Sequence, residues 1–146
     1  MSGTIEQILD QSKLRYTKEV DPAQGETYSV PFDSSAGPLA VRVCLIRDVF
    51  SASIFLRRLD SLAVKGTMKA LLLELLRLNS LTTLARVFVY TSEEDETDWI
   101  AVGAEIPGPS PPVELATEAI LEAARLSERV METISDHTSV PEARYG

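Results

Sequence analysis

From residue 39 to residue 47 the chain alternates without interruption. Leu39, Val41, Val43 and Leu45 fall on one face of an extended backbone, and Ala40, Arg42, Cys44 and Ile46 on the other. A period of two belongs to a strand, and a strand with an apolar face needs a second layer to bury it. The run Met68-Lys-Ala-Leu-Leu-Leu-Glu-Leu-Leu-Arg-Leu78 can supply that layer. It consists mostly of strong helix formers and ends at Asn79, a residue tolerated in the left-handed position that closes helices. Both periods in a chain of 146 residues, a length near the mode for one domain, point to a single α+β core.

The remaining elements follow from local signals. Thr4 with Gln7 three residues on is a capping box, and Ile5, Ile8 and Leu9 share one face of a helix expected to reach Lys13 or Arg15. After the turn residues 21–25, Tyr28, Val30 and Phe32 alternate as a strand, with Pro31 placing it at an edge or near its end. A second turn cluster, 33–38, precedes the strand at 39–47. Residues 48–53 are the expected hairpin connection to a strand over 54–59, although no Asn-Gly or Asp-Gly marks the turn. Two further strands, 84–91 and 98–106, flank the acidic segment 92–97 as a second hairpin. The Pro-rich stretch 107–112 is rigid punctuation, with Ser110 as N-cap and Pro111 at the first helical position of a helix over 113–134. The expected order is therefore helix, three strands, helix, two strands, helix (α-β-β-β-α-β-β-α), an antiparallel sheet packed by helices. It forms one domain over residues 1–135, with a flexible tail over 136–146.

Composition narrows the function. With 14 basic against 22 acidic residues the net charge is −8, which argues against direct binding of nucleic acid or an anionic membrane, since both need clustered positive charge. No apolar stretch reaches the roughly 18 residues that span a bilayer, and the amino terminus lacks the basic and apolar segments of a signal peptide, so a cytoplasmic location is expected. The single Cys rules out an internal disulfide.

Catalytic chemistry finds little footing. The run Glu93-Glu94-Asp95-Glu96-Thr97-Asp98 is the best candidate for a hard cation, but it lacks EF-hand spacing and reads more simply as a solvated hairpin tip. His137, the one imidazole, sits in the expected tail, where no third group would orient it. Cys44 lies mid-strand as a small hydrophobe. The acidic pairs Glu114 with Glu118 and Glu118 with Glu122 fall on the charged face of the last helix, where solvation and partial pairing to Arg125 and Arg129 account for them. Neither a Gly-rich phosphate loop nor a nucleophile elbow is present. No enzyme activity, cofactor or metal is expected.

What the chain has in surplus is apolar surface. On the second helix Met68, Leu71, Leu72, Leu75, Leu76 and Leu78 cover an arc of about 160°, wider than the roughly 100° that docking on one surface requires. The last helix is apolar over about half its circumference. The strands at 84–91 and 98–106 carry apolar groups on both faces, with Phe88, Tyr90 and Trp99 opposite the valines and Ile100. Candidate contacts for a dimer partner or client are accordingly Leu71, Leu72, Leu73, Leu75, Leu76, Phe88, Tyr90, Trp99, Leu115, Leu126 and Val130. The competing readings are a small-molecule sensor with an apolar pocket between sheet and helices, and a carboxylate or metal-dependent enzyme at the acidic hairpin.

The stretch Leu72-Leu-Glu-Leu-Leu-Arg-Leu-Asn79, the hairpin ending in Ala104-Glu-Ile-Pro107 and the long Ala- and Glu-rich helix after it resemble the YbjN family of bacterial proteins. The order of elements also resembles the class I type III secretion chaperones, which are small and acidic. The resemblance spans roughly residues 4–134 and rests on architecture, so no functional residue carries over individually. It implies an enzymatically inert, chaperone-like or regulatory homodimer that holds a client or partner protein on apolar helix and sheet surfaces.

Overall fold

A computed structural model describes residues 4–21, 25–108 and 110–139. The elements run α1 (Thr4–Ser12), β1 (Thr17–Asp21), β2 (Gly25–Ser34), β3 (Gly37–Ile46), β4 (Val49–Arg58), α2 (Met68–Arg77), β5 (Ala85–Thr91), β6 (Asp98–Pro107) and α3 (Val113–His137). One antiparallel sheet of order β1-β2-β3-β4-β6-β5 holds every strand. The inversion at the end arises because α2 carries the chain past β4: β5 becomes the far edge, and β6 turns back to pair with β4.

The three helices form one layer against one face. α3 crosses β3, β4, β5 and β6, with α1 and α2 packed against it on either side. Beneath it lie the alternate strand residues Tyr28, Val30, Val41, Val43, Phe50, Ala52, Ile100 and Val102, all essentially inaccessible. The helices answer with Leu9, Leu71, Ala116, Ile120, Ala123 and Val130. The small alanines of α3 let its backbone approach the sheet closely. The α+β architecture expected from the sequence is the one observed.

Several local readings need correction. The sheet has one more strand than expected, β1, whose charged and exposed residues carry no apolar alternation. Val20 is 73% exposed, and Lys18 reaches Glu6 of α1 at 3.5 Å and Glu26 of β2 at 3.1 Å. Such polar edge strands are invisible to hydrophobic periodicity. β4 begins at Val49, not at residue 54. Its connection from β3 is the pair Arg47 and Asp48, both left-handed at φ 52° and 61°, the geometry of a type I′ turn built without Asn-Gly. α1 stops at Ser12, where Lys13 turns left-handed, Lys13 N–H donates to Asp10 O and Leu14 N–H to Leu9 O, a Schellman closure. α3 starts at Val113 with Pro112 as its cap, because Pro111 precedes a proline and is kept out of the helical region. Ser110 therefore does not cap it. At the other end Asp136 and His137 form the last turn of α3, and Ser139 N–H donates to Ala63 O at 2.8 Å. Residues 140–146 of the expected tail lie outside the described residues.

Candidate protein-binding surface

No helix among the described residues covers the second face of the sheet. On this open face the register sets Phe55 of β4 and Phe88 of β5 on either side of Ala101 of β6, and Tyr90 beside Trp99. The floor is made of small residues, Ser51, Ser53 and Gly103, and bulkier side chains rise around it. The result is an open groove of about 510 Å³ bordered by Ile46, Phe55, Phe88 and Tyr90, with Arg86 and Glu105 along it. Phe55 stacks on Tyr90 with ring centroids 5.1 Å apart at 29°, and lies 6.4 Å from Trp99. Trp99 Nε1 donates to Thr97 Oγ1 at 3.2 Å, which fixes the indole. Phe55, Phe88 and Tyr90 remain 47%, 39% and 41% exposed, and together they form one contiguous aromatic patch.

The apolar surface continues around the β5 edge. On the helix side Leu72, Leu75 and Leu76 of α2 meet Val87, Phe88, Val89 and Ile100 around a small apolar pocket of about 100 Å³. Phe88 borders both the groove and the pocket, so the two are one band wrapped over the edge strand. A cavity of that size is well below the roughly 300 Å³ at which ligand pockets begin.

The residues singled out from the sequence divide into two groups. Leu72, Leu73, Leu76, Phe88, Tyr90, Trp99 and Leu115 keep exposed or half-exposed side chains. Leu71, Leu75, Leu126 and Val130 do not: they are at most 2% exposed, in the chain's own core. The wide arc of α2 exists because α3 and β5 cover different parts of it, leaving only Leu73 and Leu76 well exposed. The sequence reading missed Phe55, Ile46 and Val89, which complete the band. Phe55 was legible only with β4 begun at Val49, which aligns it with Ser51 and Ser53 on the open face.

Two polar side chains hold this region in place. Glu122 of α3 is 8% exposed, contrary to the solvated role expected for it. Its carboxylate accepts from the N–H groups of Thr83, Leu84 and Ala85 at 2.8, 2.6 and 2.8 Å, and from the Thr83 hydroxyl. Burial pushes its pKa up, but the N–H donors together outweigh burial, and the carboxyl titrates below its ordinary range. Asn79 accepts from Val87 N–H at 2.7 Å and donates to Val87 O at 3.2 Å, occupying that part of the sheet edge. Elsewhere, burial raises the pKa of the Cys44 thiol, which suppresses the thiolate. Hydrogen bonds from Thr97 lower that of Asp95 in the acidic hairpin. Among the described residues no three His, Cys, Asp or Glu side chains group as a metal site, and no helix is long and apolar enough to cross a membrane.

The chain thus combines an antiparallel sheet covered by helices on one face with an exposed aromatic groove on the other. The chain is similar to the crystal structure of YbjN from E. coli, a proposed transcription regulator, with a TM-score of 0.56 and 14% identity over 94% of this chain and 93% of that one. At that identity the likeness is one of fold, and the fold is YbjN-like. No protein-family profile and no curated protein sequence matches the chain.

Proposed function

We propose that this chain is a non-enzymatic, cytoplasmic protein-binding module, a chaperone-like or regulatory homodimer that holds a partner protein on the apolar band around β5. The observation that carries this reading is the uncovered aromatic row Phe55, Phe88, Tyr90 and Trp99. Its side chains stand partly in water over a floor of small residues, where a partner's side chains could be received. The regulatory assignment of the YbjN structure is in keeping with it.

The test is a paired capture from cell lysate with wild-type bait and a Phe55→Glu/Tyr90→Glu bait of unchanged thermal stability. A specific protein retained by the first and lost by the second supports the reading. Equal recovery by both, or recovery by neither, contradicts it.

A further inference from the structure

The outer edge of β5 is closed over its first half and open over its second. Ser92 N–H donates inward to Thr97 O, which fixes the even-numbered positions as those that face β6. The outward backbone groups therefore belong to Ala85, Val87, Val89 and Thr91. Ala85 N–H is taken by Glu122 and its carbonyl by the Thr82 hydroxyl, and both groups of Val87 are taken by Asn79. No described side chain closes Val89 or Thr91 in this way.

We propose that a second copy of this chain closes them, with two β5 strands pairing antiparallel about a two-fold axis at Tyr90, so that Val89 of each lies opposite Thr91 of the other. The inference rests on the homodimer reading above and adds the interface and its register.

Two features favour a second copy over an unrelated strand. The open positions are the pair that an axis through Tyr90 brings opposite one another, so each copy satisfies the other, and pairing stops where Asn79 blocks Val87. The exposed apolar residues also flank the seam on both faces. Tyr90 meets its own copy, continuing the Phe55–Tyr90 stack across the axis, while Val89 and Leu76, 45% and 53% exposed, come to the joint on the helix side.

Light scattering on the full chain tests the register. At roughly 100 μM, where a micromolar Kd leaves mostly dimer, the wild type should run as a dimer. Val89→Pro removes only an outward N–H, so it should give a folded monomer. Tyr90→Cys should form a disulfide-linked dimer under mild oxidation, since opposed residues at a non-hydrogen-bonded pair lie about 4.5 Å apart at Cα. A dimer that is indifferent to Val89→Pro and gives no Tyr90→Cys crosslink overturns this register while leaving the homodimer reading standing. A wild-type monomer at every concentration overturns both, and an edge occupied only by a different protein's strand overturns the second copy as occupant.

Discussion

The ring of Phe88 lies against the backbone of Gly103. A Cβ built on Gly103 would stand 3.1 Å from Phe88 Cε1, tighter than most real contacts of that kind, so the ring would have to give by a few tenths of an ångström. Glycine is there for space: the bare backbone of β6 lets an aromatic from β5 lie flat over the groove floor. Gly103→Val should therefore tilt Phe88 off the sheet and cost about 2 kcal/mol, the ordinary size of an overpacking penalty. Gly103→Ala should cost less than about 1 kcal/mol, since the ring edge is exposed and can shift. Chemical denaturation of the two variants checks the order.

Glu122 makes a second prediction, on acid stability. Its folded-state pKa is depressed below 4.5, so it contributes stability that is present above the unfolded value and lost as pH falls through the folded one. Glu122→Gln should flatten the fall in stability below about pH 4.5. Glu122→Ala should cost about 3 kcal/mol at neutral pH, because it strands the N–H groups at the start of β5. Thermal melts across pH for the three proteins read this directly.

Asn79 predicts a change in association. Asn79→Ala should cost about 1–2 kcal/mol through the two lost hydrogen bonds, and should lengthen the open edge from Val89 back to Val87. Light scattering over a dilution series should then show the dimer persisting to lower concentration than the wild type's. An unchanged dilution profile would mean that Asn79 does not guard the edge.

The two groups of apolar residues should also separate experimentally. Leu71→Ala and Leu126→Ala should each cost about 2–5 kcal/mol, as truncations in a closed core do. Phe55→Ala and Tyr90→Ala should each cost about 1 kcal/mol or less, since much of the side chain already faces water, yet should impair partner binding. A large stability loss at Tyr90 would mean that it serves the fold first.

How far the sequence revealed this arrangement depended on how apolar each element is. The alternation of Leu39–Leu45 and the leucines of α2 are strong periodic signals, and the expected elements formed there. β1 and the Arg47–Asp48 turn were hidden for opposite reasons: a polar edge strand shows no period, and a left-handed turn was carried by residues without the usual signature. The candidate surface was half legible. Phe88, Tyr90 and Trp99 stood out as aromatics opposite a buried face, but Phe55 depended on where β4 starts. Leu71, Leu75, Leu126 and Val130 could not be told from surface residues until the helices were packed. Glu122 lies on the charged side of its helix, and no pattern in the sequence announces that a loop folds over it.

The central claim is that a protein partner covers the open face, and Trp99 is placed to report on it. It is the only tryptophan in the chain and lies 6.4 Å from Phe55 at the end of the aromatic row. Its accessibility to a soluble quencher, measured with and without the captured partner, should fall when the partner binds, and should stay high when Phe55→Glu/Tyr90→Glu is mixed with the same partner. Binding at full affinity with no change in Trp99 quenching would contradict the account.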